Sequence, residues 1–226
     1  MNNQLFHLRS LKVASLLLAI LYSNLQLSVQ SSPAKLNISE VNINISRELT
    51  VPATQYSTPG NKTLILWIPA EFGSAPKKQA NIARGLGKRG IDVWHLDLHD
   101  AYFVQRNRNS VDQFKAKDIS TIMDKAIKQG YTKIILTGSA GAARPILRTA
   151  RYWQSQHQSL DKNRRLQVLG GLILFHPSLY ESRPSTGNDA QYIPETYATN
   201  IPVYIIQPTY STAIYRVSTL LKAIRT

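Results

Sequence analysis

The chain has 226 residues, of which 43% are hydrophobic and 18% are charged, a balance that excludes a wholly disordered protein. It has no cysteine, which excludes disulfide bridges, thiolate metal sites and cysteine nucleophiles. The net charge is +14, but the basic residues are dispersed, so we expect a basic solvated surface and no specific nucleic-acid binding.

The N-terminal segment has the pattern of a secretory signal. Arg9 and Lys12 precede an apolar run over residues 13–22, which is too short to cross a hydrocarbon core of ~30 Å as a helix. A basic segment followed by a short apolar one predicts export, either to the periplasm or out of the cell.

Cleavage of this signal is predicted after Ser31, because short residues stand there and at Val29. The predicted organisation is therefore a signal peptide over residues 1–31 and one folded domain over residues 32–226. The alternative is an uncleaved signal that anchors the protein in a membrane.

The rest of the chain alternates strand-like and helical patterns. Residues 32–60 are polar with strand-like fragments, which predicts an antiparallel hairpin at a sheet edge. Apolar runs then predict strands over 64–68, 91–96, 133–137, 168–175 and 203–206, with helical periodicity between them. Strands that alternate with helices form βαβ units, so the predicted fold class is α/β: a three-layer α/β/α sandwich with a mostly parallel sheet.

Two further segments are defined by local signals. Ser110 and Gln113 have the spacing of a capping box, which predicts a helix that begins near Ser110 and ends at Gly130. Residues 180–200 are rich in proline, serine, threonine and tyrosine. We predict that they form a surface excursion between the last two strands.

The predicted strand over residues 133–137 leads into a motif with catalytic chemistry. Residues 137–141 are Thr-Gly-Ser-Ala-Gly, a G-x-S-x-G turn with threonine in the first small position. Such a turn holds its serine at a sharp, strained corner between a strand and a helix, where bulky neighbours would collide with backbone. The N-terminus of the following helix supplies free N–H groups suited to an oxyanion.

Because this turn lies between a predicted strand and a predicted helix in an alternating β/α chain, residues 62–210 resemble the α/β-hydrolase superfamily. The resemblance implies that Ser139 is the nucleophile and that the Ala140 N–H is one oxyanion donor, with Phe72 in the loop after the first apolar strand as the other. It implies a serine esterase or acyl hydrolase, which the N-terminal pattern predicts to be exported. We expect no cofactor, and no metal because the histidines and carboxylates lack metal-ligand spacing. The substrate would be a small acyl or ester compound, and the basic surface would favour an anionic one.

The sequence departs from the superfamily in its acid and its base. A serine needs a base to take its proton and a third group to orient that base. Residues 207–212 carry no carboxylate where the acid is expected, and no histidine follows His176. Glu181 is the best acid candidate, and His99 and His176 are candidate bases, but for each of the three a surface position or local hydrogen bonding is the favoured interpretation. The alternative is therefore a non-catalytic or C-terminally incomplete hydrolase-like domain that binds a ligand or a partner.

The turn and the helix after it are each open to another interpretation. The turn is similar to the glycine turn of short-chain dehydrogenases, but Ala142 and Arg144 stand where that turn needs glycine, and no Tyr-x-x-x-Lys pair is present. The helix after the turn carries Arg144, Arg148 and Arg151 on one stripe. This stripe is either a docking site for an anionic ligand or a solvated helix face.

Overall fold

The computed structural model describes residues 35–73, 76–182 and 190–225, all within the unit Lys35–Thr226. The predicted signal peptide, its cleavage after Ser31 and the centre of the predicted 180–200 excursion lie outside the described residues. In the described part of the chain, no helix is both long enough and apolar enough to cross a membrane.

Seven strands form one mixed sheet in the order β1-β2-β4-β3-β5-β6-β7. They are β1 (Asn37–Asn44), β2 (Thr50–Ser57), β3 (Thr63–Trp67), β4 (Ile91–Leu96), β5 (Lys133–Ser139), β6 (Leu169–Phe175) and β7 (Val203–Ile206). β1 and β2 form an antiparallel hairpin, and β2 pairs antiparallel with β4. The strands from β4 to β7 in this order run parallel. The predicted α/β class, mostly parallel sheet and edge hairpin are confirmed.

The described residues form seven α-helices and three short 3₁₀ helices. The α-helices are α1 (Pro76–Gly87), α2 (Leu98–Ala101), α3 (Ala116–Lys128), α4 (Ala143–Gln156), α5 (Lys162–Val168), α6 (Pro194–Tyr197) and α7 (Val217–Arg225). The 3₁₀ helices are Ser110–Gln113, Ala140–Ala142 and Thr212–Arg216. The helical periodicity predicted between the strands is therefore present, although α2, α5 and α6 are short.

The two faces of the sheet bury separate clusters of apolar side chains. The larger cluster includes Leu66 and Leu136 of the sheet and Trp153 of α4, which has no exposed surface. The smaller cluster joins Trp67 of β3 to Ala83 of α1 on the other face. Helices on both faces of one sheet form the predicted three-layer sandwich, because alternate strand residues point to opposite layers.

The predicted capping box at Ser110 is wrong. Ser110 begins a 3₁₀ helix whose N-cap, Asn109, makes no side-chain capping hydrogen bond, and the α-helix α3 begins at Ala116. The Ser110 hydroxyl is fully buried and bonds groups that are distant in sequence, including the carbonyl of Glu71. The hydroxyl thus faces the carbonyls of Glu71 and Asn107 and makes no bond to the Gln113 N–H that a capping box requires.

Candidate functional site

The loop after β3 and the turn after β5 lie side by side. The Ile68 N–H donates to the Thr137 carbonyl at 2.8 Å, which joins the end of β3 to β5. The loop then closes on itself, because the Gly73 N–H donates to the Ala70 carbonyl at 2.8 Å and Gly73 adopts a φ of 94° that favours glycine. Both segments therefore meet at the carboxyl edge of the parallel strands, where α/β folds bind ligands.

The corner of the turn after β5 is Ala140. Its φ is 50°, in the left-handed region, where a residue with a Cβ is strained by about 1–2 kcal/mol. Ser139 has a φ of −120° and a ψ of 157°, so it ends β5 in an extended conformation. The structure therefore places Ala140, one residue after the predicted nucleophile, at the strained position of the elbow.

The packing around the turn follows the same register. A Cβ at Gly138 would lie 2.9 Å from the Ala142 Cβ and 3.0 Å from the Ile68 carbonyl oxygen. The tight positions therefore stand two residues before and two residues after Ala140, as an elbow requires around its corner. The sequence carried a signal for this register, because Gly138 and Ala142 flank Ala140 symmetrically, but the serine at 139 drew the prediction to the neighbouring register.

The backbone N–H of the residue after the corner is hydrogen-bonded to a carboxylate. In an elbow, the N–H of the residue after the nucleophile is an oxyanion donor. Here that residue is Gly141, and its N–H donates to Glu71 Oε2 at 2.9 Å. The bond joins residues 70 positions apart in the chain, and charge-assisted bonds of this kind are stronger than neutral ones. Glu71 lies in the predicted oxyanion loop, but its side chain was not among the predicted site residues.

The predicted oxyanion donors were the N–H groups of Ala140 and Phe72. With Ala140 at the corner, the donor that follows it is the Gly141 N–H instead. The Phe72 side chain is 69% exposed and lines a cavity different from the one beside Glu71. A role for the Phe72 N–H stays a prediction.

His99 lies beneath the loop and not at the elbow. Its Nε2 is 2.9 Å from the Ser110 hydroxyl oxygen, which is also 2.8 Å from the carbonyl oxygens of Glu71 and Asn107. The single hydroxyl proton goes to one of these carbonyls, so His99 Nε2–H donates to the hydroxyl. Although this is a serine–histidine pair, Ser110 is fully buried and already donates its proton, so the pair tethers the Glu71 loop rather than forming a nucleophile.

A cavity of about 450 Å³ opens beside the elbow. It is lined by Glu71, Arg108, Asn109, Asp112, Arg144, Arg148, Ser178, Tyr180, Glu181, Ser182 and Ile193. Asp112 accepts from Arg144 Nε at 2.9 Å and from Nη2 at 2.7 Å, and from Arg148 Nη1 at 3.2 Å. Burial alone would raise the pKa of Asp112, but the two guanidinium groups outweigh it and lower the pKa. Two arginines of the predicted stripe are thus paired with the exposed Asp112 carboxylate of the same chain.

The remaining candidate residues occupy different places. Glu181 lines the elbow cavity and has an exposed side chain, so its assignment as the acid stays a prediction. His176 follows β6 with a φ of 37° and an exposed side chain, and it does not line that cavity. Across the described residues, no group of three or more histidine and carboxylate side chains has the arrangement of a metal site.

Comparisons with known proteins find similarity at the level of structure. No family model and no curated protein matches the sequence. A protein assigned as a dienelactone hydrolase from Klebsiella pneumoniae subsp. pneumoniae MGH 78578 is similar with a TM-score of 0.60 and 14% identity, over 84% of this chain and 81% of that one. A protein assigned as a carboxylesterase from Lactobacillus plantarum WCFS1 gives a TM-score of 0.59 and 14% identity, over 84% and 83%.

A third solved structure, a lipase/esterase from Lactobacillus plantarum, matches with a TM-score of 0.58 and 12% identity, over 84% of this chain and 87% of that one. Identities this low establish the fold alone. Together with the strand order and the turn after β5, they show that the chain has the α/β-hydrolase fold. Its structural neighbours are named as esterases and dienelactone hydrolases.

Proposed function

We propose that this protein is a hydrolase-like domain without catalytic activity. It uses the elbow cavity to bind a ligand or a partner. The observation that carries the proposal is Ala140 at the strained corner. A methyl group has no lone pair with which to attack an acyl carbon, so this corner cannot form the covalent intermediate of a serine hydrolase.

The surroundings of Ala140 support the same proposal. The Glu71 carboxylate already accepts the Gly141 N–H, so it would compete with the oxyanion of a tetrahedral intermediate and repel its charge. The elbow cavity is lined by the ion pairs of Asp112 with Arg144 and Arg148. Such charged groups suit the binding of a ligand or a partner better than they suit acyl transfer.

A second candidate is a serine ester hydrolase that uses Ser139, with Glu181 as its acid. It is supported by the position of Ser139, half-buried at the carboxyl end of β5 and adjacent to the corner. For this candidate we keep the small acyl or ester substrate, favoured as anionic by the basic surface. For both candidates we propose export, which is supported by the N-terminal pattern around Arg9 and Lys12.

Labelling with a fluorophosphonate probe distinguishes the two candidates. We expect no labelling of the folded wild-type protein, measured by intact mass, and none of Ser139→Ala. We also expect none of Ala140→Ser, because a hydroxyl at the corner would still lack a base and would face Glu71. Stoichiometric labelling of the wild type that disappears in Ser139→Ala would overturn the proposal in favour of the hydrolase.

A further inference from the structure

A second cavity, of about 480 Å³, lies away from the elbow cavity and shares no lining residue with it. Phe72 and Gly73 line this cavity, whereas Glu71 lines the other. Side chains of β1, β2 and β4 and the N-terminal half of α1 complete the lining, among them Glu40, Thr54, Tyr56, His95 and Gln79. The cavity therefore belongs to the carboxyl end of β4 and takes no part in the function proposed above.

Three buried polar atoms of this lining, Gln79 Oε1, His95 Nε2 and His99 Nδ1, have no hydrogen-bond partner among the described residues. Gln79 is 8% exposed and its Oε1 is unpaired, and His99 is 3% exposed with an unpaired Nδ1. Because the Ser110 hydroxyl donates to a carbonyl, we infer that His99 carries its proton on Nε2, and burial lowers the pKa of His99, so that Nδ1 has a lone pair. An unsatisfied buried group of this kind lowers the stability of the fold, and a ligand with a suitable donor would relieve that cost.

The charges of the lining favour a cation. Asp97 lies 3.7 Å from Arg106, and because both side chains are about half exposed, their opposite charges offset each other only in part. Burial lowers the pKa of His95 to about 4, so this ring adds no positive charge near neutral pH. Among the described residues, Glu40 makes no ion pair, and its carboxylate is the remaining formal charge of the lining. An acidic cavity on a chain with a net charge of +14 is a local departure from its surface.

We propose that this cavity binds a small protonated amine. The ammonium N–H groups would donate to the free lone pairs of Gln79 Oε1 and His99 Nδ1, and the positive charge would face Glu40. An anionic ligand would meet the Glu40 carboxylate, and the one arginine of the lining, Arg106, is shared with Asp97.

Calorimetric titration of the full chain with n-butylammonium near neutral pH tests the proposal, with butyrate and n-butanol as ligands of matched size. We expect saturable binding of the amine alone. Glu40→Gln and Gln79→Leu should each weaken it by about tenfold or more, because each removes an acceptor for a charged donor. Glu48→Gln, which changes an exposed carboxylate in the β1–β2 turn, should have no effect.

The proposal is overturned if the wild type shows no saturable binding of the amine, or if butyrate or butanol binds as tightly. It also fails if the amine binds equally well to Glu40→Gln. Circular dichroism of this variant, whose position is exposed, checks that a loss of binding does not come from misfolding. Ser139→Ala should bind the amine normally, which separates this test from that of the elbow.

Discussion

Glu71 and Gly141 contact each other at the elbow because Gly141 has no Cβ. A Cβ there would lie 2.9 Å from Glu71 Oε2 and 3.2 Å from Val111 Cγ2. The same Glu71 oxygen accepts the Gly141 N–H at 2.9 Å. The absence of one methyl group therefore admits the carboxylate to the amide, so the occupied oxyanion position depends on this glycine.

We predict that Gly141→Ala lowers the free energy of unfolding by about 1–3 kcal/mol, because the added methyl overpacks the site and displaces the carboxylate. Urea unfolding would measure it. The loss should be smaller when Gly141→Ala is made in a Glu71→Ala background, where the carboxylate is already absent. Gly85→Ala is the matched control: its Cβ would meet only Arg89 Nη1 at 3.9 Å, and alanine is the better helix former. Equal losses in both backgrounds would contradict the assigned contact.

At the scale of elements, α3 and α4 are joined by a polar contact inside an apolar layer. Trp153 of α4 is fully buried, and its Nε1–H donates to Asp124 Oδ1 of α3 at 2.9 Å. His157 stacks on the Trp153 ring with centroids 4.2 Å apart, and its Nε2 lies 3.3 Å from the same Asp124 oxygen. The contact therefore fixes the C-terminal end of α4, which begins directly after Ala142, against α3.

Asp124→Ala should lower the free energy of unfolding by about 1–3 kcal/mol, because it leaves the buried indole N–H without an acceptor. Asp124→Asn keeps an acceptor oxygen and should cost less. Denaturant unfolding compares the two variants. If they were equally destabilised, the charge of Asp124 rather than its hydrogen bond to Trp153 would hold the helices together.

At the scale of the whole molecule, stability depends on pH through His95. Burial lowers the pKa of His95 to about 4, and its ring packs against Trp67 and Tyr56 with centroids 5.0 and 5.4 Å away. The unfolded chain binds a proton at this histidine below about pH 6.5, whereas the folded chain does so only below about pH 4. Between these values the unfolded state holds more protons, so the free energy of unfolding falls as the pH falls.

We predict that His95 accounts for a loss of about 2–3 kcal/mol between about pH 7.5 and pH 4.5. Urea unfolding at both pH values, on the wild type and on His95→Gln, measures it as the difference between the two losses. His99, whose pKa is also lowered by burial, is present in both proteins and cancels in that comparison. An identical pH dependence in the variant would show that His95 is not the group responsible.

The elements could be predicted from the sequence because their signals are local. The apolar run before Pro69, the alternation of strands and helices and the turn after residue 137 are properties of neighbouring residues, and each predicted strand is present. Ser110 shows where such signals fail. Its spacing to Gln113 fits a cap, but a tertiary bond to Glu71 decides its place.

The sequence by itself determined the α/β class, the mostly parallel sheet and the position of an elbow between β5 and α4, because periodicity and turn chemistry act over a few residues. Only the tertiary structure decided which residue stands at the corner. The positive φ of Ala140 identifies this residue as the corner, and Glu71 binds Gly141 although the two are 70 positions apart in the chain. Neither a dihedral angle nor a contact between distant segments can be predicted from residue spacing, because both depend on the packing of the whole fold.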